Sequence, residues 1–427
     1  MYNADDILIL GRTNWRNENK PFGILPEDRA RHMYIIGQTG AGKSTLLLNM
    51  IAQDAAAGRG FAVFDPHGDM VERVLDLIPP RRINETVYFN PADTEWPIAI
   101  NALDYSDQRR RHLAASGLVL VFKKIWAEFW GPRLEYVLRN AILALLENPG
   151  QTLLGIPRLL IDDVYRARML RHVKDPVVRN YWAYEYELYP KTFRMETISP
   201  ILNKAGQFLS TPLVRNIVGQ PKTKFDLRQI MDRKGILLVN LAKGKIGEDN
   251  TALLGALVLA RLQLAALSRA DKLESKRLPF AAYIDEFPSI VTDGFADMLS
   301  ESRKYGLQLV LAHQYIEQLT VQLRAAVFGN VGTTVCFRVG PWDATFLRIR
   351  TGLTYSVNDL TELPGHDMYT WLSIKGRTTS PFSAHSEAPP SVDMQAGIRI
   401  IAQSRLRHTA PKRDVEKRLA GWLATIM

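Results

Sequence analysis

The run Gly37-Gln38-Thr39-Gly40-Ala41-Gly42-Lys43-Ser44-Thr45 carries the residue types that hold phosphate. Its glycines let successive backbone N–H groups turn inward around phosphate oxygens, and a helix N-terminus adds partial positive charge. Lys43 is spaced to reach the β- and γ-phosphates, Ser44 to offer its hydroxyl to Mg²⁺, and Thr45 to continue the helix. A second half-site lies far along the chain, where the apolar run Phe280-Ala281-Ala282-Tyr283-Ile284 ends in Asp285-Glu286. A carboxylate at the tip of such a strand holds magnesium through water, the role expected of Asp285. Glu286 is then placed to orient and polarise the attacking water. The implied chemistry is hydrolysis of a nucleoside triphosphate, with ATP and Mg²⁺ as ligands.

Two residues downstream fit the same chemistry. Gln314 closes the run Leu311-Ala312-His313-Gln314, and its amide can both donate and accept at a γ-phosphate. Arg303 follows the acidic strand by one helix, where an arginine can reach a neighbouring subunit's nucleotide and spread transition-state charge. The alternatives are a structural hydrogen bond for Gln314 and a surface ion pair for Arg303, with Lys304 competing for the finger role.

These residues need a scaffold. Residues 33–36 form a short apolar run before the glycine loop, and Leu47, Met50, Ile51 and Ala55 recur at helical spacing after it. The result is strand, loop, helix. Residues 61–64 and 87–89 read as further buried strands, and residues 7–10 and 22–24 as a lead-in hairpin around a turn-rich stretch. Strand signals return at 235–241, 280–284, 307–312 and 332–339, with helices expected at 249–269 and 295–305. Alternating strands and helices imply an α/β fold with a central, mostly parallel sheet. Between them, residues 106–212 show helical periodicity punctuated by prolines and read as an inserted all-α domain. The expected organisation is residues 1–105 as the first part of the nucleotide-binding domain, 106–212 as the insert, 213–390 as the second part, and 391–427 as a tail.

The phosphate loop and Asp285 lie about 240 residues apart, more than a bare nucleotide-binding core requires, and the insert accounts for the excess. That spacing argues against small kinases and GTPases, as does the lack of an Asn-Lys-x-Asp motif.

The chain of 427 residues has a net charge of +10, favouring a polyanionic partner. Between Tyr105 and Ile230 about 20 Lys and Arg face about 11 Asp and Glu, so the excess sits largely in the helical block. The single cysteine, Cys336, lies in an apolar run, which rules out a disulfide within the chain and fits a reducing compartment. The apolar stretches 113–122 and 251–260 are short of the roughly 20 residues that cross a bilayer, so no transmembrane helix is expected. The N-terminus lacks the basic region of a signal peptide.

Taken together, the motifs resemble the HerA/FtsK superfamily, and within it the TraG/TraD-class coupling ATPases of conjugation and type IV secretion. The resemblance rests on the phosphate loop, Arg29-Ala30-Arg31-His32, Asp65-Pro66-His67-Gly68-Asp69, Asn90-Pro91-Ala92-Asp93, Gly131-Pro132-Arg133-Leu134-Glu135, Ile284-Asp285-Glu286-Phe287, Arg303-Lys304-Tyr305-Gly306, His313-Gln314 and Phe328-Gly329-Asn330. It covers most of the chain to about Pro390. The resemblance implies a RecA-like motor with an all-α insert, six copies forming a ring around DNA, and it gives Arg303 the finger role and Gln314 the sensor role. Typical members carry N-terminal transmembrane helices, whereas this sequence starts at the motor. The expectation is therefore a cytoplasmic protein that reaches the membrane, if at all, through partners.

The expected function is ATP-driven DNA translocation of the conjugative-coupling type, with a relaxase or secretion-channel proteins as partners. A HerA-like motor serving a nuclease or defence complex, and an ATP-gated scaffold that does not translocate, are the alternatives. Lys243 and Lys245, on an expected turn after the strand at 236–241, are candidate DNA contacts, because lysines on a loop meet phosphates without reading sequence. A solvated turn competes with that reading. The aromatic run Tyr181-Trp182-Ala183-Tyr184-Glu185-Tyr186 can stack bases or pack helices, and helix packing is the commoner use. The basic, amphipathic segment 405–423 is read as a packed terminal helix or as a contact for a partner, DNA or an acidic membrane.

Overall fold

A computed structural model describes residues 7–105, 110–350, 354–391 and 394–424. The chain divides into two compact units. The first draws on segments up to Phe89, Leu227–Ala242 and Ala265–Ser404, and the second on Asn90–Asp226, Lys243–Leu264 and the segment from Arg405 onward. The helical unit thus takes in residues on both sides of the 106–212 span read from the sequence, together with a core-helix segment and the C-terminal helix.

The first unit is organised by strands β1 (Leu8–Thr13), β2 (Pro21–Ile24), β3 (Met33–Ile36), β4 (Gly60–Asp65), β5 (Thr86–Phe89), β6 (Ile236–Asn240), β7 (Phe280–Ile284), β8 (Leu307–His313), β9 (Thr333–Cys336), β10 (Asp367–Trp371), β11 (Ser373–Ile374), β12 (Arg377–Thr378) and β13 (Phe382–Ser386). Eleven of them form one sheet in the order β2-β1-β13-β10-β9-β3-β8-β7-β4-β6-β5, and β11 pairs with β12 in a small ribbon. From β9 to β5 every pairing is parallel, whereas β10, β13, β1 and β2 join antiparallel. The parallel strands are buried along their whole length, as expected where helices cover both faces of a sheet. The N-terminal hairpin is present as β1 and β2, and Cys336 is buried in β9.

The helix Lys43–Ala56 buries Leu47, Met50, Ile51 and Ala55 completely against this sheet, the face its periodicity predicts. Beneath it lies an ionic knot. Arg29 makes a two-pronged contact with Asp54, 2.7 Å on each side, and the Tyr283 hydroxyl donates to the same carboxylate at 2.7 Å. Removing one partner of such a buried pair strands the other charge, at about 3–5 kcal/mol. The Arg29-Ala30-Arg31-His32 run is therefore a bracket of the core.

In the second unit, Tyr181, Trp182 and Tyr186 are buried within a π-helical turn, and the Tyr186 hydroxyl donates to the Leu160 carbonyl at 2.7 Å. Three of the four aromatics in that run pack helices, and Tyr184 alone is exposed. The C-terminal helix Lys412–Ala424 buries Val415 and Leu419 against Leu154, so the packed-helix reading of 405–423 holds for its second half. One expectation changes. Helix Glu248–Ser268 belongs to a 24-residue stretch, Glu248–Asp271, with a window of mean hydropathy 1.7, long and apolar enough to cross a membrane. That window is 61% buried within the protein, the pattern of a core helix, and its interior Arg261 donates to the Asp104 carbonyl.

Candidate active site

The phosphate loop joins β3 to helix Lys43–Ala56 and is fastened on three sides. Gly37 N–H donates to the His313 carbonyl at 3.4 Å, Gln38 N–H to Arg338 at 2.8 Å, and the Ala41 carbonyl accepts from His366 N–H at 2.9 Å. Gly42 has φ +127°, and a side chain there would place its Cβ 2.8 Å from the Phe337 ring, so glycine is required twice over. Gln38, Thr39, Gly40 and Ser44 are exposed, open to a ligand. Lys43 is buried and folds back, its Nζ donating to the Gly37 carbonyl at 2.6 Å and to Gln38 at 3.3 Å. Burial lowers its proton affinity while Glu286 and Asp285 act in the opposite sense. The ammonium thus sits within the field of both acids.

Asp285 leaves β7 with its N–H bonded to the Phe64 carbonyl at 3.0 Å. Its Oδ1 is buried with no hydrogen-bond partner among the described residues. Burial, then the nearby Asp65 and Glu286, push its pKa up to about 7, with Lys43 pulling the other way. An orphaned carboxylate oxygen and an exposed serine hydroxyl at the start of helix Lys43–Ala56 are both hard-oxygen donors, the type that fits a hydrated Mg²⁺. Glu286 adopts φ +42°, uncommon for a non-glycine residue, and accepts from Gln314 Nε2 at 3.0 Å. The structure therefore brings Lys43, Asp285, Glu286 and Gln314 together.

Arg303 stands apart from that cluster. It lies on the 3-10 turn Ser302–Tyr305 that ends helix Phe295–Glu301, is exposed, and among the described residues makes no ion pair or hydrogen bond through its guanidinium. Lys304 is exposed on the same turn. The expected turn at Lys243–Lys245 is instead one turn of helix, Lys243–Ile246, because Gly244 keeps helical geometry. Lys243 there pairs with Glu248 at 3.0 Å, while Lys245 is exposed.

Three site-supporting residues escape sequence reasoning. The Asp65 carboxylate accepts backbone N–H bonds from His67 at 2.9 Å, Met70 at 2.8 Å and Val71 at 3.0 Å, fixing the Asp-Pro-His-Gly-Asp loop at the tip of β4. His32, at φ +61°, accepts from Leu309 N–H at 3.1 Å and donates to the Leu299 carbonyl at 3.0 Å, tying β3 to β8 and to the helix before Arg303. His313 is fully buried between the Tyr34 hydroxyl and Gln318. The only signal for either histidine was its place in a family-like motif.

A parallel sheet with a glycine-rich phosphate-loop motif after β3, an acid pair just beyond β7 two strands away and a glutamine just beyond the intervening β8 defines a RecA-like P-loop NTPase. Residues 22–345 match the family described as the type IV secretion-system coupling protein DNA-binding domain. The chain belongs to that family of coupling proteins. In fold it is similar to the plasmid coupling protein TrwB in complex with ADP and Mg²⁺, at 15% identity and a TM-score of 0.68, covering 93% of this chain and 92% of that one. TrwB with a non-hydrolysable GTP analogue aligns at 16% identity and a TM-score of 0.66, over 92% of each chain. VirB4 of Thermoanaerobacter pseudethanolicus aligns at 15% identity and a TM-score of 0.63, over 91% of this chain and 98% of that one. No curated protein matches the sequence.

Proposed function

We propose that this protein is an ATP-hydrolysing ring motor that moves DNA through a central pore, as a coupling protein of conjugation or type IV secretion. The observation that carries the reading is a division of labour. Lys43, Asp285, Glu286 and Gln314 gather in one cluster, while Arg303 stands exposed one helix away with no ion pair or hydrogen bond through its guanidinium among the described residues. An arginine placed so serves a neighbouring copy's nucleotide, which makes hydrolysis depend on assembly; six copies around DNA is the assembly proposed.

In this reading residues 37–45 bind ATP, with backbone N–H groups and Lys43 on the phosphates. Ser44 would hold Mg²⁺ directly and Asp285 through water, and the metal supplies charge neutralisation on the phosphates. Glu286 takes the proton from the attacking water, and Gln314 exchanges its bond to Glu286 for one to the γ-phosphate. Lys245, and Lys243 once its surface pair with Glu248 opens, would meet the DNA backbone. The protein is proposed to act at the cytoplasmic side with relaxase or channel partners.

The test is ATP turnover with and without DNA, single- and double-stranded, at low salt. DNA should raise turnover, and the stimulation should fade steeply as salt rises. Turnover indifferent to both forms of DNA at low salt would leave a nucleotide-gated scaffold as the reading.

A further inference from the structure

His313 has the environment of a fixed strut. It is the last residue of β8, paired with Ile36 of β3, and is fully buried. Its Nδ1–H donates to Gln318 Oε1 at 3.0 Å; that oxygen also accepts Tyr315 N–H at 3.4 Å, which fixes the orientation of the Gln318 amide. Nε2 is therefore the bare nitrogen, and it accepts from the Tyr34 hydroxyl at 2.7 Å. Each ring nitrogen has one partner that suits a single neutral tautomer.

The ring's remaining contacts lead to the hydrolytic residues. Its edge meets Phe287 at 4.9 Å between centroids, with planes at 71°, and Phe287 directly follows Glu286. The backbone carbonyl of His313 accepts from Gly37 N–H, the first residue of the phosphate loop. Its next residue is Gln314, which donates to Glu286. His313 thus meets the phosphate loop through its backbone carbonyl and the residue after Glu286 through its ring, and it directly precedes Gln314. The turn beyond is anchored too, since Ile316 N–H donates to Asp343 Oδ1 at 2.9 Å.

We propose that His313 is a positioning residue for hydrolysis: held in one tautomer between Tyr34 and Gln318, it sets the distance between Gln314 and Glu286 and ties both to the phosphate loop. The proposal rests on reading Gln314 and Glu286 as the hydrolytic pair. A buried aromatic core histidine with no such role would carry only stability, and the two cases separate in kinetics.

The experiment uses the full chain with His313→Asn, which keeps a donor near Nδ1 but loses the ring, and with Tyr34→Phe, which keeps all packing and removes only the hydroxyl. Expected for His313→Asn is a kcat lower by about 10- to 100-fold with the ATP KM within about 3-fold, because ground-state binding is left intact. Tyr34→Phe should lower kcat by about 3- to 10-fold with binding of a fluorescent ATP analogue unchanged. In a Gln314→Ala background, single-turnover rates should fall less than about 2-fold further on adding either substitution, since residues acting as one unit are not additive. An equal fold-loss in both backgrounds, or kcat and melting temperature falling together while Tyr34→Phe is silent, overturns the proposal. Wild-type turnover in Gln314→Ala alone would instead overturn the hydrolytic pair on which it rests.

Discussion

Gln314 Nε2 donates to Glu286 Oε1 at 3.0 Å, closing the gap between the end of β8 and the residue beyond β7. The carboxylate expected to take a proton from water therefore has one oxygen already engaged by the residue expected to meet the γ-phosphate. On the proposed reading a bound triphosphate would compete for that amide, and its arrival would free Glu286. In that reading the pair is a restrained arrangement, the proposed base held by the amide until nucleotide binds.

Glu286→Gln should bind ATP normally and hydrolyse it about 10²- to 10³-fold more slowly, since general-base loss of this kind leaves ground-state contacts alone. Gln314→Ala should also spare binding but lower kcat, having removed the phosphate contact along with the restraint. Binding of a fluorescent ATP analogue and steady-state turnover measure the two effects separately. Retained turnover in Glu286→Gln would remove Glu286 from the reaction.

The acid pair was legible in the sequence because its determinants are local. Phosphate binding needs glycines at fixed offsets between a strand and a helix, and Asp285-Glu286 ends an apolar run five residues long. The supports were illegible because their partners are remote. His32 bonds across to Leu299 and Leu309, and His313 back to Tyr34, separations of 267, 277 and 279 residues that no periodicity encodes. β10 and β13 were missed because strands of five residues carrying Asp367, His385 and Ser383 show little apolar alternation. At Lys243-Gly244-Lys245 the glycine read as a turn signal, yet nothing there requires positive φ and the segment continues as helix.

Asp285 gives a pH signature. Its carboxyl titrates near 3.8 when unfolded and is pushed up to about 7 in the fold, by burial first and then by Asp65 and Glu286. The folded state thus binds the extra proton between those values, and stability falls as pH rises from about 4 through 7. Asp285→Asn should raise the melting temperature of the nucleotide-free protein at pH 8 and change it little at pH 4. The same carboxyl must be ionised to serve magnesium, so affinity for the Mg²⁺–ATP complex should weaken below pH 7. Thermal melts at the two pH values check the first expectation and titrations with and without Mg²⁺ the second; a pH-independent gain in Asp285→Asn would contradict the assignment.

His32 acts in the opposite sense. Burial, opposed by its bond to the Leu299 carbonyl and reinforced by Arg303, lowers its pKa from 6.5 to about 4. The unfolded chain then takes up the proton first, so the stability contributed is present above pH 6.5 and is lost as pH falls toward 4, up to about 3 kcal/mol. His32→Gln should be less stable than wild type at pH 7, with both bonds compromised, yet lose less on acidification to pH 4.5. Denaturant melts at the two pH values report the difference, and parallel losses in both proteins would show that His32 does not carry the acid response.

Arg303 offers the test of assembly. Arg303→Ala should lower turnover by about 10³-fold, the scale on which an arginine finger acts, without weakening ATP binding by its own chain. Lys304→Ala should stay within about 3-fold if the neighbouring lysine only shares the exposed turn. Lys43→Ala subunits should be inactive for a different reason, because they lose the proposed phosphate lysine while keeping the proposed finger. Mixed with Arg303→Ala subunits, they place an intact Arg303 beside an intact phosphate loop at some of the interfaces. Turnover should therefore recover to a fraction set by the mixing ratio, and specific activity should rise with protein concentration as copies associate. If the mixture hydrolyses no more ATP than its two components measured alone, Arg303 acts within its own chain or not at all, and the exposed position of its guanidinium has another purpose.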